Sequence, residues 1–212
     1  MTDRPIIFSA SMVRELLAGR RSITRQVLKE QGHVAYTMFS GGRWQWHGTT
    51  SAVLSDVVVP YAPGDRLWVR EAWRFDAEWD DFPPRYFDGA DAVHYEAGGA
   101  QDKSLWGDPF RPGRLRSPIH MPRWASRLTL VVTNVRVQRL QEITSADAIS
   151  EGCSPYANSA TIDCDTPNPR DDFKRLWNSI HGTGAWDRNP WVAAISFKVH
   201  RCNIDTMEEG TW

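Results

Sequence analysis

Apolar residues recur at every second position in several segments of this chain, a pattern that predicts β-strands. In the segment 66–73, Leu67 and Val69 share one face while Trp68 and Arg70 point to the other. A second region predicts a hairpin, because two alternating runs flank a Gly-Gly pair suited to a tight turn. The predicted strands cover residues 5–8, 33–39, 43–47, 66–73, 127–139 and 191–199.

Three other segments have the apolar spacing or the capping residues of a helix. The first covers 11–18 and ends at Gly19, which can adopt the positive φ of a helix C-cap. The second follows the capping residue Thr144, and the third runs from Pro169 to Gly182. Strands interrupted by short helices, without strict strand–helix alternation, favour an α+β fold.

The stretches between these elements are long and rich in Gly, Pro and Asp, which is typical of loop insertions. We expect one domain over residues 1–206 of the 212-residue chain, with a flexible tail at 207–212. The expected insertions are 29–60, 76–117 and 153–168.

Composition restricts the function more than the fold. The net charge of −1 argues against a surface that binds polyanions everywhere, so a nucleic-acid site would be a local patch. No metal and no cofactor is expected, because the sequence has no CxxC pair, no clustered histidines, and no GxxxxGKS or GxGxxG loop. The sequence has no run of 18 apolar residues and no leader pattern, so we expect a cytoplasmic protein without a membrane partner.

The segment 19–25, Gly-Arg-Arg-Ser-Ile-Thr-Arg, is the most distinctive polar motif. It presents the arginines Arg20, Arg21 and Arg25 directly after a helix end, where guanidinium groups can hold an anion through two hydrogen bonds. The alternative is a solvated loop whose charge only complements the helix dipole.

Three segments together are similar to the ASCH family, which has a PUA-like β-barrel. They are the motif at 19–24, the turn and strand at 63–73, and the closing strand at 191–197. Residues 5–9, 119–127 and 186–192 resemble a phage and prophage branch of that family. The resemblance, which covers roughly half of the chain, implies a barrel with short flanking helices, long loop insertions and a phage or prophage origin.

The ASCH family includes an amidohydrolase that deacetylates N4-acetylcytidine with a Lys, a Thr and a Glu. On this chain the resemblance places Thr24 on the Thr, Arg21 on the Lys and Glu151 near the Glu. A guanidinium cannot serve as a base at neutral pH, so Arg21 would bind an anion or an acyl oxygen instead. The candidate bases for Thr24 are then Glu71, Glu151 and His120.

A binding site is the other interpretation, with arginines for phosphates and tryptophans on which a base can stack. Its candidate residues are Arg20, Arg21, Arg25, Trp68, Arg70, Trp73, His120, Arg123, Trp124 and Arg127. Each tryptophan could instead belong to the core, and Arg70 and Glu71 could form an ion pair on a strand. We expect Arg21, Thr24 and Glu71 to line one pocket with a tryptophan on its wall.

Three functions remain open at this point. The first is a binding module for nucleic acid or a modified base or nucleotide. The second is a metal-independent hydrolase acting on an acylated nucleoside, or a ribonuclease. The third is a phage morphogenetic or host-interaction protein. In each case we expect a monomer.

Overall fold

A computed structural model describes most of the chain, and its residues cluster into two compact units. Unit 1 comprises residues 1–19, 64–131 and 198–212, and unit 2 comprises 20–63 and 132–197. The described residues are 2–29, 31, 36–40, 43–47, 53–87, 93–98, 100–101, 111–153 and 168–207. Most of the predicted insertion 153–168 and nearly all of the predicted tail 207–212 lie outside them.

The chain alternates strands with few helices, which confirms the predicted α+β class. The helices are α1 (Ala10–Leu17), α2 (Ser145–Ser150) and α3 (Pro169–His181). The strands are β1 (Asp3–Ile7), β2 (Ile23–Val27), β3 (Tyr36–Ser40), β4 (Arg43–His47), β5 (Val53–Val57), β6 (Arg66–Arg70), β7 (Trp73–Arg74), β8 (Val93–Tyr95), β9 (Ala100–Gln101), β10 (Thr129–Arg139) and β11 (Trp191–His200).

Unit 1 joins β1 and β6 in parallel, and β6 pairs antiparallel with the first residues of β10. A second small sheet has the order β7-β8-β9. Next to it lies an aromatic core of Trp73, Phe75, Val93, Tyr95, Met121 and Ala125. The predicted strand 66–73 is interrupted because the Glu71 N–H donates to the Met121 sulfur at 3.3 Å instead of to a neighbouring strand.

Unit 2 pairs β2 antiparallel with β11, and Thr24 lies opposite Ile195. The predicted hairpin is confirmed as β3 and β4, and β5 extends it to three antiparallel strands. Helices α2 and α3 cover a core of Leu140, Ile143, Ala148, Cys153, Phe173, Trp177, Ala185, Trp186 and Val192.

The larger sheet is open, so the predicted closed barrel is not found among the described residues. Its strand order is β1-β6-β10-β11-β2, and β1 and β2 each have a single neighbour. A barrel requires those two outer strands to pair with each other, because only closure removes the edges. Since β10 and β11 each continue from one unit into the other, the division into units does not test the predicted single domain.

The predicted helix ends are confirmed by their capping geometry. Gly19 follows α1 with a φ of 70°, and Gly182 follows α3 with a φ of 94°. The Thr144 hydroxyl accepts from the N–H of Asp147, as the capping sequence predicts. In the ranges given above, the longest helix is α3 with 13 residues, and none is long and apolar enough to span a membrane.

Candidate functional site

The residues predicted for the site fall into two groups, one in each unit. Unit 2 contains Arg20, Arg21, Thr24, Arg25 and Glu151, and unit 1 contains Trp68, Arg70, Glu71, Trp73, His120, Arg123, Trp124 and Arg127. The single pocket predicted for Arg21, Thr24 and Glu71 therefore stays a prediction.

Arg21 connects the residues before β2 with the end of α2. Its backbone forms an isolated bridge with Glu151, and the neighbouring Ser22 N–H donates to the Ser150 carbonyl at 2.8 Å. The Arg21 Nη1 donates to the Glu151 carbonyl oxygen at 2.6 Å. The Arg21 Nη2 donates to both the Glu151 carboxylate at 3.1 Å and the Thr24 hydroxyl at 3.2 Å. Arg21 Nη2 thus contacts both of the other residues, Thr24 and Glu151, that the resemblance suggested for a hydrolase.

Arg25 lies on β2, not in the irregular segment that the sequence predicted, and it extends this group to a second carboxylate. Its Nη1 lies 2.5 Å from Glu151 Oε1, and its Nη2 lies 2.7 Å from Asp147 Oδ2. Arg136 donates to the same Asp147 carboxylate at 3.0 Å. We call Arg21, Thr24, Arg25, Asp147 and Glu151 the arginine–carboxylate cluster.

Burial determines what this cluster can bind. The exposed fractions of Arg21, Thr24, Arg25 and Glu151 are 3%, 3%, 5% and 3%. The anions that Arg21 and Arg25 hold are therefore carboxylates of the protein itself. Arg20, in contrast, is exposed.

The cluster nevertheless contains the groups that acyl hydrolysis uses. Burial raises the pKa of the Glu151 carboxyl above its usual value, and the positive charges of Arg21 and Arg25 oppose that shift. The Thr24 hydroxyl accepts from Arg21, so its own proton remains for another acceptor. A hydroxyl, a cation and a carboxyl of raised pKa are here in contact.

The predicted stacking residues of unit 1 are mainly part of its interior. Trp73 is fully buried and packs edge-on against Phe75, with ring centres 4.9 Å apart. Trp68 is buried too, and the Arg70 guanidinium lies 4.4 Å from its ring centre. Trp124 is half-buried and packs parallel to Phe75 at 6.3 Å. A role of Trp68 or Trp73 in stacking on a base would require their faces to become exposed.

The partner of Glu71 is Arg127 and not the neighbouring Arg70. The Arg127 guanidinium donates to both carboxylate oxygens of Glu71 at 2.9 Å, and it lies 3.9 Å from the centre of the Tyr95 ring. Burial raises the pKa of Glu71 despite this ion pair. Arg123 likewise binds Asp3 and Asp205 at 2.6 Å each, so these predicted site residues hold unit 1 together.

Unit 1 contains a cleft, and His120 is the one predicted site residue in its lining. This cleft has a volume of about 420 Å³ and is called the basic cleft below. It is lined by Pro83, Pro84, Arg85, Arg114, Leu115, Arg116, Ser117 and His120. None of the described residues in this lining is acidic. All of the lining residues except His120 fall within the predicted insertion 76–117, and of the lining residues only His120 is among the predicted site residues. The signal that could have found this cleft is the spacing of three arginines in Arg111-Pro-Gly-Arg-Leu-Arg.

Residues 111–116 reach the cleft by running antiparallel to residues 73–80. The Arg116 N–H donates to the Trp73 carbonyl at 2.8 Å, and the Gly113 N–H donates to the Phe75 carbonyl at 3.1 Å. A methyl group on Gly113 would lie 2.9 Å from that carbonyl and 2.7 Å from an Asp80 oxygen. Only glycine allows this close approach without a shift of the backbone.

The arginines of the basic cleft differ in how far their charge is already compensated. The Arg116 Nη2 contacts three backbone carbonyls between Trp79 and Phe82 and lies 3.7 Å from Asp80. Burial lowers the pKa of Arg116, and the nearby positive charge of Arg114 lowers it further. The Arg114 side chain is 60% exposed, with its Nε 4.0 Å from Asp80, and Arg85 is also exposed. Arg85 and Arg114 are therefore accessible to an anion from solvent.

A second cleft, of about 340 Å³, lies in unit 2. It is lined by Val27, Trp177, His181, Ala185, Arg188 and Pro190. Its walls are mostly apolar, with a single arginine. That arginine, Arg188, is a suitable control for the arginines of the basic cleft.

Among the residues that the structure describes, no group of three or more His, Cys, Asp and Glu side chains could hold a metal ion. Comparisons with protein-family models, with curated proteins and with solved structures gave no significant match.

Proposed function

We propose that this protein binds nucleic acid or a nucleotide through the basic cleft of unit 1. The observation that carries the proposal is the convergence of Arg85, Arg114 and Arg116 on one cleft. Arginine forks suit phosphate oxygens, and the phosphate backbone supplies most of the affinity of a nucleic-acid interface. A cleft of about 420 Å³ is within the size range of small-ligand pockets.

The arginine–carboxylate cluster is a poorer candidate for phosphate binding. Arg21 and Arg25 already hold Glu151, and both are almost fully buried. Moving them to an external phosphate would leave a buried carboxylate without its cations, which is costly. Arg85 and Arg114 require no such rearrangement.

Membership of the ASCH family and a PUA-like fold are parts of the same proposal, as is a phage or prophage origin. The observed α+β class and the contact of Arg21 with Thr24 and Glu151 support it. Under this proposal the ligand class extends to modified bases and nucleotides.

The test is the affinity for a short fluorescent oligonucleotide, measured by anisotropy. The double variant Arg85→Ala, Arg114→Ala is expected to bind at least about tenfold more weakly, since it loses two charge-assisted contacts. The matched control is Arg175→Ala, Arg188→Ala, which removes the same charge from exposed arginines of unit 2. Equal losses in both variants, or no loss in the first, would contradict the proposal.

A hydrolase is the second candidate, favoured by the shared contact of Arg21 Nη2 with Thr24 and Glu151. If the protein releases acetate from N4-acetylcytidine, Thr24→Ala abolishes that release. Arg21→Lys then keeps or raises the rate, because burial can lower the pKa of a lysine so that it accepts a proton. Ser22→Ala is the control, since it removes an exposed hydroxyl from the same segment. Turnover that survives Thr24→Ala would exclude this mechanism.

A further inference from the structure

We infer that the basic cleft binds a single-stranded segment of nucleic acid. Its phosphates would contact Arg85 and Arg114, and an unpaired base would stack on the exposed rings of Trp79, Phe82 and Tyr86, called the aromatic rim below. The inference rests on the proposed function and narrows its ligand to one class. It depends on three features of unit 1: exposed aromatic rings, a rigid backbone, and the kind of element that forms the cleft.

The first feature is a set of large aromatic side chains on the surface beside the arginines. Tyr86 is 68% exposed, Phe82 is 47% exposed and Trp79 is 37% exposed. All three lie within the segment 79–86, which also supplies Pro83, Pro84 and Arg85 to the cleft lining. Grouped exposed aromatics on a soluble surface commonly mark a binding site.

These rings have the arrangement that holds splayed bases. The Arg85 guanidinium lies 5.3 Å from the centre of the Tyr86 ring, so a cation and a flat aromatic surface are next to each other. The rings of Trp79 and Phe82 are 5.8 Å apart and tilted, which gives a second apolar surface nearby. Bases stack on both aromatic rings and guanidinium planes, while the cations bind the adjoining phosphates.

The second feature is the rigidity of the backbone that presents these groups. Pro83 and Pro84 restrict φ at the start of the short 3₁₀ turn Pro84–Tyr86. On the opposite side, Gly113 fits closely against Phe75 and Asp80. Asp80 also accepts from the Arg114 N–H at 2.7 Å, which fixes the backbone beside the cleft. A preformed site loses less conformational entropy on binding.

The third feature is the kind of element that lines the basic cleft, which favours a single strand over a duplex as the ligand. Reading a duplex directly in its major groove requires a helix or a two-stranded ribbon that can enter the groove. The basic cleft is lined by two short 3₁₀ turns and by the end of the extended segment 111–116, whose Arg116 forms an isolated bridge with Trp73 of β7. Within a duplex the base faces are stacked on each other, so the aromatic rim would have no surface to contact. An unpaired segment, unlike a duplex, offers a base face and a phosphate together.

The experiment compares one sequence as single-stranded RNA, as single-stranded DNA and as a duplex, with wild-type protein and two rim variants. We expect both single strands to bind more tightly than the duplex. Tyr86→Ala is expected to weaken single-strand binding by about 5- to 150-fold, the usual effect of losing one stacked base. Tyr86→Phe keeps the ring and is expected to remain within about twofold of wild type. Ile180→Ala removes an exposed apolar side chain of unit 2 and is expected to change nothing.

The outcomes distinguish this inference from the proposed function. If the duplex binds as tightly as the single strands and binding still depends on Arg85 and Arg114, the basic cleft binds phosphate but the inference is overturned. If Tyr86→Ala binds single strands like wild type, the stacking role is overturned as well. If no nucleic acid binds, the proposed function fails and the inference fails with it. Tyr86 is largely exposed, so thermal unfolding of the variant is expected to match wild type, which excludes misfolding as the cause.

Discussion

Arg21 and Glu151 are joined twice, through the Glu151 carboxylate at 3.1 Å and through its backbone carbonyl at 2.6 Å. These contacts tie the start of β2 to the end of α2, which lie 130 residues apart in the chain. Because both side chains are almost fully buried, Glu151 compensates the charge of Arg21, and Arg21 and Arg25 together compensate the charge of Glu151.

Replacing Glu151 by Ala is expected to destabilise the protein by about 3–5 kcal/mol, since Arg21 and Arg25 would be left as buried cations without this carboxylate. The measurement is chemical denaturation followed by tryptophan fluorescence. Asp187→Asn is the control, because Asp187 is 70% exposed and lies 3.9 Å from Lys174. A loss below about 1 kcal/mol for Glu151→Ala would show that the cluster opens to solvent at little cost.

Gly113→Ala is expected to destabilise unit 1 by about 1–3 kcal/mol. The added methyl group would meet the Phe75 carbonyl, which is backbone and cannot move away as a flexible side chain can. Thermal unfolding measures the effect, and oligonucleotide affinity reports whether the basic cleft is distorted. Unchanged stability and affinity would mean that residues 111–116 can move away from residues 73–80, and so make room for the methyl group, at no cost in free energy.

The stability of the protein is expected to contain a contribution from Glu71 that decreases as pH rises. Burial raises the pKa of Glu71, so the native state holds its proton at pH values where the unfolded chain has already released it. This contribution is complete below the ordinary glutamate pKa of about 4.3 and is lost as pH rises through the higher native pKa. Denaturation of wild type and Glu71→Gln between about pH 4 and about pH 7 isolates it. Parallel profiles for the two proteins would contradict the shift.

Binding of a single-stranded oligonucleotide is expected to weaken with salt. On a single strand, each phosphate contact contributes about 0.7 unit to the slope of log affinity against log salt concentration. Arg85→Ala is expected to reduce the magnitude of that slope by about 0.7, while Arg188→Ala leaves it unchanged. An unchanged slope for Arg85→Ala would show that this arginine does not contact a phosphate.

Local chemistry made most elements predictable from the sequence. Thr144, Pro169 and Gly182 mark helix ends through their own hydrogen bonds and φ angles, so neighbouring residues suffice to recognise them. The break between β6 and β7 could not be predicted in this way. It depends on Met121, which lies 50 residues further along the chain. The openness of the main sheet likewise depends on which strands pair, which short-range patterns do not specify.

In the candidate site too, contacts between residues close in sequence were easier to predict than contacts between distant ones. The motif at 19–25 contains Arg21 and Thr24, which are close in sequence and in contact in the structure, while their shared pocket with Glu71 stays a prediction. The family resemblance suggested Glu151, and the structure brings its carboxylate to Arg21, while a contact of Glu151 with the Thr24 hydroxyl stays a prediction. The basic cleft was missed because it forms only when residues 111–120 return to residues 83–85 across a loop without regular periodicity. Alternation also could not separate a buried tryptophan such as Trp73 from an exposed one such as Trp79.

The order in which the chain is synthesised delays the completion of unit 1. Its three segments are separated by both segments of unit 2, and Asn203 in the last of them donates hydrogen bonds to the carbonyls of Arg123, Trp124 and Ser126. Until residue 203 has left the ribosome, the turn at Arg123–Ala125 lacks these three hydrogen bonds. The translation of residues 132–197 therefore separates the synthesis of this turn from the synthesis of the side chain that holds its carbonyls.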